Sequence, residues 1–274
     1  MARSKQSVVV GVDGSESSVQ AALWAAAEAA RLAVPAHLVL VNDDPAREDF
    51  AKQAVRDIAE RCHREYPELT ITDEVAVGHP AEELVRRSDT AQLVVVGSRG
   101  HGVFRDALLG AISTSVAAHA RCPVVVVRGH ATVPGPVVVG VDNSPGSRIA
   151  VHYAFDAASR RQTDLVAVQA LPDAYFTVGA YPAPDRQEIQ NRADLHLAEQ
   201  LSGWCADYPD VTVHREVANQ HPVSTLCDAA RQAQLLVVGH RGRGGFAGLL
   251  LGSVANGVLH HAPCPVAVIR TGAP

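Results

Sequence analysis

The stretch that decides the fold is LVVVGSRGHGVFRDALLG, residues 93–110, where a short apolar run ends at a glycine and a loop rich in glycine and arginine follows. The same plan returns as LLVVGHRGRGGFAGLLLG, residues 235–252. Both stretches have the glycine spacing Gly-x2-Gly-x9-Gly. A run of consecutive apolar residues before a glycine is typical of a strand buried on both faces of a parallel sheet. The sequence therefore predicts the same strand and loop twice.

The repetition extends over the whole chain, so the architecture follows from it first. Each early, middle and late segment of the first copy has a counterpart in the second. The pairs are VVVGVDGS (8–15) with VVVGVDNS (137–144), LVLVN (38–42) with LVAVQ (165–169), GHPAEEL (78–84) with QHPVSTL (220–226), and RCPVVVVR (121–128) with PCPVAVIR (263–270).

The spacing between counterparts locates an insertion and a linker. Early counterparts lie 127–129 residues apart and later ones 142 apart, which places about 15 extra residues in the second copy, near 171–187. That stretch is rich in Pro, Gly and Tyr and predicts a long loop. GHATVPGP at 129–136 has the composition of a linker. The sequence thus predicts two domains, at 1–130 and 136–274.

Strands and helices alternate within each copy. Helix formers follow the Val-rich runs, and Pro80 and Pro222 stand at the first position of a predicted helix. Alternation over about 130 residues predicts an α/β fold in each copy, a doubly wound sheet of five parallel strands with helices on both faces. In such sheets ligands bind beyond the carboxyl ends of the strands, where both glycine loops are expected.

Composition excludes several classes of protein. The net charge of −5 and the isoelectric point near 6.2 argue against a nucleic-acid partner. Apolar runs stay well short of the ~18 residues that a membrane span needs. Asp13 interrupts the first apolar run too early for a signal peptide. We expect a cytoplasmic protein without a membrane span.

Metal and disulfide chemistry are not predicted. The five cysteines are scattered, without a Cys-x-x-Cys pair, as in a reducing compartment. Cys122 and Cys264 precede the predicted fifth strands and are expected to be small buried hydrophobes. The 13 histidines show no metal-ligand spacing.

The glycine loops have the features of a phosphate site. Gly110 and Gly252 each precede a predicted helix, whose free N–H groups and dipole attract anions. Hydroxyls follow at Ser113 and Ser253. A tightly packed turn without a ligand is the alternative, and duplication alone would also preserve it. A P-loop is absent, and GRGGFA at 242–247 follows too late a strand for a Rossmann site. The positively charged candidates are Arg99, His101, Arg105, Arg241 and Arg243.

The segments VGVDGS, GHPAEELV, LVVVGSRGHG and CPVVVV, in this order and with this glycine spacing, resemble the universal stress protein family over nearly the whole chain, as two tandem copies. The resemblance implies ATP, with Mg²⁺, lying across the strand ends. It also implies a nucleotide-responsive stress regulator without catalytic residues, and at most slow ATP hydrolysis.

Carried over by position, the resemblance places Asp13 and Val41 by the adenine and ribose, and Asp142 and Val168 in the same role in the second copy. It gives the first copy a phosphate-binding set of Gly11, Gly97, Ser98, Arg99, Gly100, His101, Gly110, Ala111, Ile112 and Ser113. The second copy has Gly140, Gly239, His240, Arg241, Gly242, Arg243, Gly252, Ser253 and Val254.

The two copies depart from the family pattern in different ways. The ATP-binding branch ends its motif in Gly-Ser or Gly-Thr, whereas the first copy has Ala111 and keeps only Ser113. The second copy keeps Ser253 but has Ala255. Each copy thus retains one of two hydroxyls, and a lost hydrogen bond to a charged group costs ~1.5–3 kcal/mol if nothing replaces it. Because the first copy lacks the hydroxyl directly after the last glycine, it is the weaker candidate for ATP binding. Asn143 also stands where the first copy has Gly14, with an effect that the sequence does not predict.

Two other functions stay open at this point. One is an adenylyl- or phosphoryl-transferase on a related nucleotide fold, although the sequence has neither a second substrate domain nor a His-Ile-Gly-His signature. The other is a stress scaffold that binds no nucleotide.

The fifth strand of each copy bears on assembly. It is short and apolar and would lie at a sheet edge, which is prone to pairing. The resemblance implies dimerisation through this strand, so we expect an internal pseudo-dimer of the two copies, with a homodimer as a further option. An edge covered by loops or by the linker is the alternative.

Overall fold

A computed structural model describes residues 7–100, 109–129, 131, 134–171, 186–242 and 250–270. The chain divides into two compact units, whose described parts are residues 7–131 (unit 1, the first copy) and 134–270 (unit 2, the second copy). Residues 172–185 of the predicted inserted loop lie outside the described residues, as do 130, 132 and 133 of the predicted linker.

Unit 1 forms one parallel sheet in the order β3-β2-β1-β4-β5. Helix α1 packs against α2, and α3 packs against α4. The strands are β1 (Val8–Val12), β2 (Ala36–Asn42), β3 (Ile71–Val77), β4 (Leu93–Gly97) and β5 (Val124–Val127). The helices are α1 (Glu16–Leu32), α2 (Glu48–Glu65), α3 (Pro80–Arg87) and α4 (Ala111–His119), with a 3₁₀ turn at Pro45–Arg47.

Unit 2 repeats this topology in the order β8-β7-β6-β9-β10, again with parallel pairing. Its strands are β6 (Val137–Gly140), β7 (Leu165–Ala170), β8 (Val213–Ala218), β9 (Leu235–Gly239) and β10 (Val266–Ile269). Its helices are α5 (Pro145–Arg161), α6 (Arg186–Asp207), α7 (Pro222–Ala229) and α8 (Ser253–His261), with a 3₁₀ turn at Ala230–Gln232.

The predicted tandem α/β fold is therefore confirmed. Both sheets are doubly wound: the chain runs from β1 outward to β3, crosses back to β4 beside β1, and continues to β5. Strands β4 and β5 are buried along their whole length. In this topology a crevice opens beyond the carboxyl ends of β1 and β4, where the strand order reverses, and beyond those of β6 and β9 in unit 2. Among the described residues, no helix is long and apolar enough to cross a membrane.

Serine caps fix where the first helix of each unit begins. The Ser15 hydroxyl accepts a hydrogen bond from the Ser18 N–H at 3.2 Å, and Ser144 accepts from the Ser147 N–H at 3.1 Å. Each cap satisfies one of the N–H groups that a helix start leaves without an internal partner. The helix therefore starts immediately after the turn that leaves the first strand.

The start of this helix crosses the end of the fourth strand very closely. A Cβ on Gly97 would lie 2.6 Å from Ser17 Oγ and 2.9 Å from the Ser17 carbonyl oxygen. A Cβ on Gly239 would lie 2.8 Å from the carbonyl carbon of Gly146. Backbone atoms stand in the way in both units, so these positions accept glycine only.

We expect Gly97→Ala and Gly239→Ala each to destabilise the protein by roughly 1–3 kcal/mol, because the helix start must move to make room. In thermal melts this corresponds to a fall of about 2–4 °C per kcal/mol. Gly203→Ala is the matched control, since Gly203 lies within α6 and a Cβ there meets nothing within 4 Å. The control should be neutral or stabilising by up to ~1 kcal/mol. Equal melting temperatures for all three variants would disprove the close-crossing constraint.

Candidate functional site

The candidate site of each unit lies at the carboxyl edge of its sheet. Asp13 follows β1 directly, and Gly97 ends the neighbouring β4. In unit 2, Asp142 lies two residues after the end of β6, and Gly239 ends the neighbouring β9. The fold thus brings the predicted aspartate and the predicted glycine loop to one edge in both units.

The aspartate and the loop come into direct contact. Asp13 Oδ1 accepts a hydrogen bond from the Ser15 N–H at 2.9 Å, which orients the carboxylate. Its other oxygen, Oδ2, lies so near Gly100 that a Cβ there would be 2.5 Å away. Asp142 repeats this arrangement, with the Ser144 N–H at 3.0 Å and Oδ2 against Gly242.

Backbone hydrogen bonds close the base of each glycine loop. The Gly110 N–H donates to the Ser98 carbonyl at 2.8 Å, and the Ser98 N–H donates to the Val127 carbonyl at 3.0 Å. Unit 2 has the same two bonds, from Gly252 to His240 at 2.7 Å and from His240 to Ile269 at 2.8 Å. Each loop therefore leaves and re-enters the sheet edge at one point. The predicted loop residues His101, Arg105 and Arg243 lie outside the described residues.

Each loop leads directly into a helix, as predicted. Gly110 and Gly252 are the N-cap residues of α4 and α8, with extended backbone angles. In the described part of the chain, no side chain caps either helix start. N–H groups in the first turn of a helix lack internal partners and carry partial positive charge. The arrangement can therefore accept an anion.

The residues of these helix starts differ in exposure. Ala111, Ile112 and Ser253 are exposed, and Val254 is half-buried. Ser113 is buried, and its hydroxyl donates to the Gly97 carbonyl at 2.6 Å. The Ser113 hydroxyl thus stabilises the end of β4, whereas the Ser253 hydroxyl stands at an exposed helix start.

Gly11 and Gly140 have a packing role. A Cβ on Gly11 would lie 2.6 Å from Leu84 Cδ1 of α3, and one on Gly140 would lie 3.2 Å from Leu226 Cδ1 of α7. The absence of a side chain lets these helices approach the sheet closely. The resemblance assigned both glycines to the phosphate-binding sets, and nothing in the sequence pointed to their leucine partners.

The predicted valines lie on the strands next to the aspartates. Val41 belongs to β2, which pairs with β1, and is followed by one more strand residue. Val168 belongs to β7, and its carbonyl accepts a hydrogen bond from the Val141 N–H at 2.8 Å. Both valines are thus near the carboxyl edge, one strand away from the aspartates and on the opposite side of β1 or β6 from the glycine loops.

Positive charge collects at this edge in unit 2. Arg241 is exposed on the glycine loop, and Arg270 directly follows β10. Burial lowers the pKa of Arg270, and the nearby charge of Arg241 lowers it further. The sequence shows an arginine after each fifth strand, Arg128 and Arg270, but their position in the fold was needed to relate them to the site.

His240 is a buried titratable group at the start of this loop. It is 8% exposed, and desolvation lowers its pKa from 6.5 to about 4, with the charges of Arg270 and Arg241 adding to the effect. Its Nδ1 atom is buried and makes no hydrogen bond within the structure described. His240 is therefore neutral at pH 7. Ser98 stands at this position in unit 1.

The described residues hold no group of three or more His, Cys, Asp or Glu side chains arranged to bind a metal ion. Cys122 and Cys264 are buried, as predicted. Burial raises the pKa of the Cys122 thiol to about 12, so this thiol is protonated at neutral pH.

Fold and site define a tandem α/β protein with a glycine loop and an uncapped helix start at each sheet edge. The family model for the universal stress protein family matches residues 5–128 and 135–270. The chain therefore belongs to the universal stress protein family, as the sequence predicted.

Relatives agree with this assignment. A universal stress protein of Mycobacterium tuberculosis H37Rv is 40% identical over 291 residues, covering 98% of each chain. One of Mycolicibacterium smegmatis is 41% identical over 285 residues, covering 96% of each chain. The crystal structure of a universal stress protein from Archaeoglobus fulgidus shares the fold, with a TM-score of 0.71, 21% identity and 97% of both chains covered.

The buried His240 should make stability depend on pH. Its pKa is lower in the folded state, so between about pH 6.5 and pH 4 the unfolded chain binds a proton that the folded chain does not. Stability should therefore fall as the pH drops through this window. His240→Ser introduces the residue of unit 1. Between pH 7 and pH 5 we expect its free energy of unfolding to fall by on the order of 1 kcal/mol less than that of the unsubstituted protein. Denaturant melts at both pH values measure this, and parallel pH profiles would contradict it.

Proposed function

We propose that each unit binds one ATP molecule at the carboxyl edge of its sheet, and that the protein is a nucleotide-responsive regulator of the stress response, not a dedicated catalyst. One observation carries this proposal. In both units, a backbone N–H orients an aspartate carboxylate that lies against a glycine of the loop. The same loop ends at the start of a helix that no side chain caps among the described residues.

The aspartate is suited to the nucleoside part of the ligand. A carboxylate accepts hydrogen bonds from ribose hydroxyls or from the adenine amine. The Ser15 N–H holds one oxygen of Asp13, and the Ser144 N–H holds one oxygen of Asp142. Because the carboxylate is oriented before the ligand arrives, less side-chain entropy is lost on binding. Val41 and Val168 lie one strand away, where the adenine ring would extend.

The loop and the helix start are suited to the phosphates. Their N–H groups and the helix dipole favour negative charge, and Arg99 and Arg241 add exposed positive charge. Because the described residues include no metal-ligand cluster, Mg²⁺ would be held mainly by phosphate oxygens and water. The exposed Ser253 hydroxyl gives unit 2 an additional donor, so unit 2 should bind more tightly than unit 1, which has Ala111 there.

One observation favours a scaffold that binds no nucleotide. The close helix crossing alone requires glycine at Gly97 and Gly239, so these two glycines need no ligand to explain them. Gly100 and Gly242 argue against this alternative. Among the described residues, the atoms nearest to a Cβ at either position belong to the aspartate side chain and not to the backbone, so the helix crossing does not require glycine there. A ligand that needs both the aspartate and the open backbone explains these two glycines.

Isothermal titration with Mg-ATP tests the assignment. We expect the nucleotide-free protein to bind ATP at two sites. Asp13→Ala should lose the weaker site, in unit 1, and Asp142→Ala should lose the tighter site, in unit 2. Gly100→Ala and Gly242→Ala should displace the carboxylate and weaken their own site by at least about tenfold, the effect of a lost hydrogen bond to a charged group. Gly203→Ala is the control and should bind as the unsubstituted protein does. An Asp13→Ala/Asp142→Ala double variant with unchanged stoichiometry and affinity would refute the proposal.

Thermal melts test which part of the nucleotide the loops recognise. A ligand at a hundred times its Kd stabilises the folded state by about 2.7 kcal/mol. ATP should raise the melting temperature more than AMP, because the loop and helix start act on the outer phosphates. GTP should do less, because it presents an oxygen where adenine has its amine. Equal shifts of the melting temperature with ATP and AMP would show that the loops do not bind the outer phosphates.

Assembly stays a prediction. The internal pseudo-dimer through the last strands of the two copies, and a homodimer, rest on the resemblance and on the edge position expected for the fifth strand.

A further inference from the structure

Unit 2 contains a cavity of about 460 Å³ between α5 and α6. Ligand pockets for small molecules typically measure about 300–1,000 Å³. Asp142 and the loop glycines do not line the cavity, so it differs from the candidate nucleotide site. Its walls come from the turn after β6, the first two turns of α5 and the second half of α6.

Two polar atoms of the lining residues lack partners among the residues that the structure describes. They are Gln200 Nε2 and Asn143 Oδ1, both buried without a hydrogen bond there. A buried unpaired polar group costs about 1–3 kcal/mol, so each needs an explanation. One of the two atoms is a donor and the other an acceptor. A molecule that satisfies both must offer an acceptor to Gln200 and a donor to Asn143.

The backbone holds Asn143 in place for such a contact. Its φ of 63° lies in the left-handed region, as does the φ of 87° of Gly14 at the same turn of unit 1. Asparagine is among the few residues that tolerate this conformation. Its Nδ2 lies 3.1 Å from Nε2 of His196 on α6, which orients the amide across the cavity. Unit 2 therefore keeps the turn and adds a directed polar group.

The remaining walls favour a flat anion. Trp204 lines the cavity and stacks on His152, with ring centroids 4.7 Å apart and planes 15° from parallel. Leu201 contributes a buried apolar surface. Arg148 brings a guanidinium to the cavity and makes no ion pair within the part of the chain that the structure describes. A planar ring would contact the apolar wall while its acidic group pairs with Arg148.

The corresponding positions of unit 1 have none of this chemistry. Unit 2 has Asn143, Arg148, Gln200, Leu201 and Trp204 at these positions. Unit 1 has, in the same order, Gly14, Val19, Ile58, Ala59 and Cys62. Ile58, Ala59 and Cys62 are buried, with Cys62 fully so. The fold is therefore built without polar groups at this place in one copy, and the polar groups of unit 2 are not needed for the fold itself.

We propose that this cavity binds a small planar organic anion that carries both a hydrogen-bond donor and an acceptor, of the class of aminobenzoates. Gln200 donates to the ligand acceptor, Asn143 accepts from its donor, and Arg148 pairs with its acidic group. The site does not depend on the proposed nucleotide site.

The probe is 4-aminobenzoate, titrated into the full chain by calorimetry and ligand-observed NMR. We expect saturable binding to one site with a Kd between about 10 μM and 1 mM, a range suited to a ligand of this size. Benzoate lacks the donor and aniline lacks the anion, so both should bind at least about fivefold more weakly. Saturating ATP should leave the affinity for 4-aminobenzoate unchanged. Competition with ATP would mean that 4-aminobenzoate binds at the nucleotide site, and this would overturn the proposal of a second site. Failure of the nucleotide proposal alone would leave the proposal for the cavity standing.

Variants that introduce the residues of unit 1 complete the test. Gln200→Ile, Asn143→Gly and Arg148→Val should each weaken binding at least about fivefold, while Gln187→Ile, on an exposed part of α6, should not. Gln200→Ile should also keep or raise the melting temperature of the free protein, because it removes an unpaired buried donor. Unchanged affinity in Gln200→Ile, or no saturation by any of the three probes below about 1 mM, overturns the proposal.

Discussion

The close crossing of a helix start over the end of the fourth strand is the contact on which each candidate site depends. The first turn of α1 lies so near β4 that Gly97 has no room for a side chain, and Ser15 fixes where that turn begins. Asp13 belongs to the turn between them, where the Ser15 N–H orients its carboxylate and Oδ2 lies against Gly100. Unit 2 builds the same contact from different residues, Gly146 and Gly239. The shared geometry therefore comes from the backbone path and not from one particular side chain.

The sequence predicted the fold well because its main signal, the repetition of apolar runs and glycines, reports directly on buried strands and their ends. It predicted less of the site, because spacing does not say where a side chain points. Ser113 and Ser253 were both predicted to be hydroxyls of the phosphate site, yet the Ser113 hydroxyl donates to the Gly97 carbonyl inside the unit. The cavity of unit 2 could not be predicted at all, since Asn143 and Gln200 are distant in the chain and meet only after α6 packs on α5.

Duplication lets the two units serve as controls for each other. Where both units keep a feature, such as the aspartate and the loop closure, the backbone geometry is the same. Where they differ, the difference is chemical: His240 replaces Ser98, Asn143 replaces Gly14 and Gln200 replaces Ile58. In the part of the chain that the structure describes, each of these three residues of unit 2 has a buried polar atom that makes no hydrogen bond, whereas unit 1 builds the same fold from Ser98, Gly14 and Ile58. Unit 2 thus carries a cost in stability that unit 1 avoids, which is the usual mark of a functional position.

The charges at the edge of unit 2 link its loop to anion binding. Arg241 and Arg270 repel each other, and in this partly dehydrated place the charge of each disfavours a proton on His240. In the proposed complex, phosphate oxygens would lie beside Arg241 and offset that charge. The same anion would favour the protonated form of His240, and its pKa would rise from about 4 towards its ordinary value. Protonation of His240 and binding of phosphate would then favour each other, because linked equilibria are reciprocal. Unit 1 has Ser98 at this position and lacks a titrating group there, so this linkage to pH would belong to unit 2.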